Sequence, residues 1–254
     1  MQSKFFTLAL FGLTKANFDS DDSETFLDTL GQLIEENGEL NRNLQPSQNV
    51  PLSANFENID NYGCYCNFQT NFSNGKGPFQ DHIDQFCKKV QDGYFCASFD
   101  DPTCDASQVS YNYPNPGTVL LYVLAPTSTN MDAVMADCVS ENPNNSCAQT
   151  ACQIENYFIA SVTSDITLGN IDSNLQVDNG FDKTNTCVVN RVPGDGPGGD
   201  GREFPRRTEC CGPVPHRFAY KHVDGRRECC GMHTFDAMLM QCCDDGTTSA
   251  MCPP

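Results

Sequence analysis

The chain has 254 residues, a formal net charge of −18 and sixteen cysteines. The acidic balance argues against nucleic acid and anionic membrane surfaces as partners, since both recruit basic patches. The cysteines form neither zinc-type pairs nor a haem motif, so they read as disulfides made in an oxidising compartment, in a chain long enough for one or two domains.

Residues 1–16 read as a signal peptide: Lys4 opens it, Phe5 to Leu13 is an apolar run too short to span a bilayer, and Thr14-Lys15-Ala16 supplies small residues at a cleavage site. No later stretch is long and apolar enough for a transmembrane segment, so the mature protein is expected to be secreted and extracellular. Ser23 can cap a helix running to about Asn37, with Phe26, Leu27, Leu30, Leu33 and Ile34 on one face. Residues 39–55 are rich in Asn and Gln and read as a loop.

The stretch from Asn61 to Tyr94 organises the rest. Tyr62, Gly63, Cys64, Tyr65 and Cys66 open a loop that Gly75, Gly77 and Pro78 turn. Asp81 and Asp84 then suit the first turn of a helix, where carboxylates meet the positive end of its dipole. Ile83, Phe86, Cys87, Val90 and Tyr94 follow at helical spacing, and Cys66 with Cys87 can pin loop to helix. Asn71 and Asn144 head glycosylation sequons.

Those residues resemble the secreted phospholipase A2 family, in which the first cluster opens a calcium loop leading into the catalytic helix. The resemblance implies a mainly α, disulfide-rich fold, a helical domain over 17–162 that includes a small β-hairpin, and an initial amphipathic helix. It fails where the chemistry sits. Val90 takes the place of the family's general-base His, and Gln91 that of its calcium-binding Asp. Valine has no proton acceptor, and glutamine offers a neutral carbonyl where calcium prefers a carboxylate. Sliding the frame by one residue recovers Asp92 as a ligand but still leaves no base. His82 lies about 12 Å along the helix from Val90 and cannot substitute. Glu155 matches the Asp that orients the family's His. Two interhelical bridges of the family would fall at Phe86 and Gly93, with partners at Ile154 and Ser161, and none of these is cysteine here.

Further along, residues 109–123 read as a hairpin around Pro114 to Gly117. Met131–Ser140 and Ser146 to about Val162 read as a split helix. Residues 163–203, rich in Asp, Asn and Gly, read as a linker whose acidic clusters match no calcium-loop spacing. Residues 204–254 form a tail stapled by Cys210-Cys211, Cys229-Cys230, Cys242-Cys243 and Cys252. This dicysteine pattern resembles galaxin-type repeats of extracellular matrix proteins and implies a small cysteine-stapled loop/β unit. His216, His222 and His233 sit among the cysteines, where disulfides outweigh zinc. Parity permits two closed disulfide sets, Cys64 to Cys152 and Cys187 to Cys252; alternatively Cys64 reaches Cys187, as a distant partner does in the resembling family.

Three functions compete. The first is a non-catalytic phospholipase A2-like protein acting with matrix proteins or glycans. The second is a calcium-dependent lipase cleaving sn-2 esters. The third is an inactive binder of lipid or of a receptor. The first is expected here, with no cofactor and no metal site; calcium at the loop is the alternative.

Overall fold

The computed structural model describes residues 59–67, 72, 74–115, 118, 121–122, 127–167, 170–188, 207–222 and 226–252. The signal peptide, the helix from Ser23, the 39–55 loop and Asn71 lie outside the described residues. Helix α1, His82–Asp100, begins where the sequence places it, with the Asp81 side chain accepting from the Asp84 N–H at 2.9 Å. Its buried face runs through Ile83, Phe86, Cys87, Val90, Gly93, Cys96 and Ala97, the spacing of one helical stripe.

Helix α2, Ser128–Glu141, is capped by Thr127, and helix α3 is Ser146–Thr167. The break between them falls at Pro143 and at Asn144, whose φ of 65° takes the chain out of helical geometry. Asn145 restarts it by accepting from the Ala148 N–H at 3.0 Å. Both α1 and α2 pack on α3. The core joins Ile83, Phe86 and Val90 of α1 to Ile154, Phe158, Ile159 and Val162 of α3, with Tyr62, Tyr65 and Phe72 of the loop closing one side. Burying a side chain the size of Phe158 or Ile83 contributes about 1.5–3 kcal/mol.

The segment expected to be a linker is folded over much of its length. Residues 170–188 form two 3-10 turns, Ser173–Leu175 and Val177–Asn179, and helix α4, Lys183–Thr186. The Gly63 N–H donates to the Leu175 carbonyl at 2.9 Å, Tyr62 bridges Gln176, and Cys64 is bonded to Cys187. Ile171, Leu175 and Phe181 pack against the main core. This segment is therefore the closing wall of the loop.

The expected hairpin at 109–123 is absent from its described residues: 109–115 hold no strand, and Thr118, Leu121 and Tyr122 are helical. Side chains capture the backbone that a ladder would need. Asn142 accepts from the Asn112 N–H at 2.7 Å and donates to the Asn112 carbonyl at 2.9 Å.

The hairpins lie in the tail. Strands β1 (Arg207–Cys211) and β2 (Phe218–His222), β3 (Arg227–Cys230) and β4 (His233–Asp236), and β5 (Gln241–Cys242) and β6 (Thr248–Ser249) make three antiparallel pairs. Two-stranded sheets are marginal alone, and disulfides hold them. Each vicinal cysteine pair splits its bonds. Cys210 reaches back to Cys96 of α1 while Cys211 goes forward to Cys229; Cys230 then meets Cys242, and Cys243 meets Cys252. With Cys64–Cys187, Cys66–Cys87, Cys104–Cys147 and Cys138–Cys152, all sixteen cysteines are paired. Two closed sets do not form, because Cys64–Cys187 and Cys96–Cys210 cross between them. Nor is the tail a detached unit. Beside the Cys96–Cys210 bond, Arg217 grips Asp100 of α1 with Nε–Oδ2 at 2.7 Å and Nη2–Oδ1 at 2.8 Å, and the His216 ring meets Tyr157 at 4.6 Å.

Candidate functional site

The site predicted from sequence is the junction of the 61–78 loop with α1, facing α3. Asp84 anchors it. It is fully buried, and its carboxylate accepts from the backbone N–H groups of Cys64 at 2.9 Å, Tyr65 at 2.7 Å and Gln80 at 2.9 Å. Burial raises its pKa above the usual carboxylate range, against the lowering effect of these three donors. Gly63 makes room for it. A Cβ there would stand 2.6 Å from each Asp84 oxygen, and the φ of 55° is itself unfavourable for other residues. From sequence Asp84 reads only as a first-turn carboxylate; its loop-holding role depends on contacts some twenty residues away.

Tyr62 spans the loop's back wall, its hydroxyl donating to Asp81 and accepting from the Asp172 N–H at 3.2 Å. Tyr65 donates to the Gly77 carbonyl at 2.6 Å, and burial raises its phenol to about 12. Cys66–Cys87 ties the loop to α1, and Cys64–Cys187 ties it to the closing wall.

The positions that decide chemistry are filled as follows. Val90 is 1% exposed and lies in the main apolar core. Gln91 turns its amide to the loop, donating Nε2–H to the Gly75 carbonyl at 3.0 Å. Asp92, the alternative calcium ligand, is already paired with the ammonium of Lys88, which also lies 5.7 Å from the Tyr65 ring centre. Burial still raises the Asp92 carboxyl, and Lys88 opposes that rise.

Glu155 lies behind α1 at 7% exposure. Its Oε1 accepts from the Tyr94 hydroxyl at 2.7 Å and its Oε2 from the Tyr111 hydroxyl at 2.5 Å. Burial pushes the carboxyl up to about 7, and the two phenols restrain that rise. Both phenols are pushed well above their ordinary value, by burial first and then by Glu155. The sequence singles out Glu155 but not these donors, which come from 61 and 44 residues away.

Neither nearby histidine faces Val90 as a base: His82, the first residue of α1, meets Asp165 at 3.2 Å and lies against Phe86, while His216 lies against Tyr157. In the tail, every cysteine is bridged, so none offers a thiolate beside His216, His222 or His233. Among the described residues no group of three or more His, Cys, Asp or Glu is placed to hold a metal, and no helix is long and apolar enough to cross a membrane.

Asn144 is an exposed turn residue, as a glycan acceptor must be. Taken together, the junction can hold a loop rigidly, and the Glu155 carboxyl, pushed up to about 7, has both oxygens already engaged. No family model matches this chain, and no curated protein and no solved structure is significantly similar to it.

Proposed function

We propose that this is a secreted, non-catalytic phospholipase A2-like protein with a galaxin-like tail, acting as an extracellular structural or binding component. The observation that carries the reading is Val90. At the position where the resemblance puts a general base, the helix buries hydrocarbon in the core. A water held there would have no group to take its proton.

Several contacts support the resemblance. Cys64 pairs with the distant Cys187, and Cys66 with Cys87. A Cβ on Gly93 would sit 2.9 Å from Ile154, so two positions where the family bridges its long helices are neighbours here. The tail's hairpins, each with a dicysteine bonded one way back and one way forward, support a repeat reading. Against a calcium role, the Gly75 carbonyl is occupied by the Gln91 amide, and Lys88 neutralises Asp92.

One observation favours the hydrolase reading: a carboxyl raised to about 7 is tuned for proton transfer. Its enclosure by two phenols weighs against it, since deprotonating a water would first require breaking a bond to Tyr94 or Tyr111. A phospholipid hydrolysis assay on the secreted protein in millimolar calcium, with and without chelator, tests the proposal. No turnover is expected. Chelator-sensitive turnover abolished by Glu155→Gln would overturn the proposal in favour of an enzyme with a relocated base.

A further inference from the structure

We infer that the cavity beside Asn144 seats the first sugar of an N-linked glycan carried on that residue, so that the glycan packs as part of the fold. The inference goes beyond the sequon, and it rests on the proposed function only for the secreted setting.

A cavity of about 440 Å³ opens between the chain leaving α1 and the turn from α2 into α3. Ligand pockets span about 300–1,000 Å³. Asp101, Thr103, Asp105, Gln108 and Val109 line one wall, and Asn144 stands in the other. The Cys104–Cys147 disulfide joins the two walls. Cys104 and Ala106 are buried against Ala97 of α1 and Ala151 of α3, which fixes the wall opposite Asn144. Asn144 is exposed, and among the described residues its carboxamide makes no hydrogen bond. The neighbouring Asn145 is spent on capping α3, so the free carboxamide at this turn is the one that the sequon selects.

Glycosylation bonds the Asn144 amide nitrogen to C1 of the sugar. The amide gives up one proton, and the sugar's bond to a pyrophosphate-activated carrier breaks, the pyrophosphate leaving with the electron pair. The first sugar of such a glycan is an N-acetylhexosamine, neutral and rich in hydroxyls, with one methyl group. The opposite wall offers a partner for each part. Asp101 accepts from the Thr103 N–H at 2.9 Å and hydroxyl at 2.6 Å through Oδ1 alone, and Asp105 accepts from Ser107 at 3.2 and 2.7 Å through Oδ1 alone. The second oxygen of each carboxylate is left to accept from sugar hydroxyls, and bonds to a charged acceptor are the stronger kind. The Gln108 side chain, exposed and without a partner among the described residues, can donate to the acetyl carbonyl. Val109 offers the methyl group an apolar neighbour. An anion would instead meet two carboxylates, and among the described residues no three His, Cys, Asp or Glu are placed to hold a cation. Attachment to the cavity's own wall also keeps the sugar at an effective concentration in the millimolar range, so contacts too weak to capture a free sugar suffice.

The test uses the full chain secreted from cells that leave high-mannose glycans, trimmed by an endoglycosidase to one N-acetylglucosamine per site. Peptide mass should place that sugar on Asn144. Nuclear Overhauser contacts should join its acetyl methyl to the Val109 methyls. The trimmed wild type should melt about 2–4 °C above Ser146→Ala, which lacks the sequon but keeps Asn144; such a shift is ordinary for a small stability gain in a chain of this size. Gln108→Ala, at an exposed side chain, should lower that difference by at least half. A secreted chain with Asn144 unmodified overturns the inference. So does an acetyl methyl that contacts only water, or a melting difference that Gln108→Ala leaves unchanged. If free N,N′-diacetylchitobiose binds the Ser146→Ala chain at micromolar concentration, the cavity serves another molecule's sugar and the inference fails. Each of these failures leaves the non-catalytic reading standing, because hydrolysis is assayed separately. A chain that never enters the secretory route fails both.

Discussion

Replacing Glu155 with Gln should make the protein's stability less sensitive to pH, and the direction can be worked from the structure. Burial raises the folded-state carboxyl from its ordinary 4.5 to about 7. Between those values the folded chain binds a proton that the unfolded chain has lost. Glu155 therefore contributes most below pH 4.5, and that contribution is lost as pH rises through 7. At about 1.4 kcal/mol per unit of pKa difference, the loss on going from pH 4.5 to pH 9 is about 3 kcal/mol. Glutamine keeps an oxygen to accept from one phenol and an amide to donate to the other, and it does not titrate. The expected difference between variant and wild type is small at pH 4.5 and grows in the variant's favour to about 3 kcal/mol at pH 9. Urea unfolding of both disulfide-intact proteins across that range measures it, since every other titrating group cancels in the difference. A difference flat to within about 1 kcal/mol would refute the reasoning, because the carboxyl would then be as well solvated in the folded state as in the unfolded chain.

Other consequences are simpler to read. Gly63→Ala forces a methyl group onto Asp84 at a positive φ and breaks the carboxylate's hold on three N–H groups, which should cost at least about 3 kcal/mol and abolish secretion of folded protein. A protease site engineered between Val189 and Arg206, once cut, should leave the tail attached on a non-reducing gel through Cys96–Cys210; release without reductant would disprove the crossed connectivity. Asn144 should carry the N-linked glycan, so enzymatic deglycosylation should lower the mass of the wild type. Asn144→Gly, which accepts a φ of 65°, should abolish that shift, and a shift that persists would assign the glycan to Asn71.

What the sequence conveys best is local. The start of α1 and its apolar stripe follow from Asp81 and from spacings of three and four residues, and the break before α3 follows from Pro143. Dicysteine spacing likewise announces a stapled tail. What it conveys poorly is held by distant partners. Residues 170–188 have no periodicity of their own; they are ordered by a backbone bond to Gly63 and a disulfide spanning 123 residues. The 109–115 stretch has the composition of a strand, yet Asn142 and Glu155 claim its backbone and its Tyr111 hydroxyl. Strand propensity describes fit to a pleated surface, and no such surface is offered there.

The proposed loss of chemistry is compatible with a stable fold. A polar group stranded in a core costs about 1–3 kcal/mol, more when charged. At this junction most groups that would otherwise be stranded have an internal partner, and the buried Gln91 Oε1 is an exception. The Gly75 carbonyl has the Gln91 amide, the Asp92 carboxyl has Lys88, and both Glu155 oxygens have phenols. Val90 needs none. A loop built to hold an ion or a reacting water would leave such groups open and depend on the ligand to satisfy them. Here the chain satisfies the Gly75 carbonyl, Asp92 and Glu155 itself, so the loop's rigidity should not depend on calcium, and hydrogen exchange across residues 62–77 should be the same with calcium and with chelator. Slower exchange in calcium would mean that the Gln91 and Lys88 contacts yield to an ion, and the junction would have to be read again as a binding site.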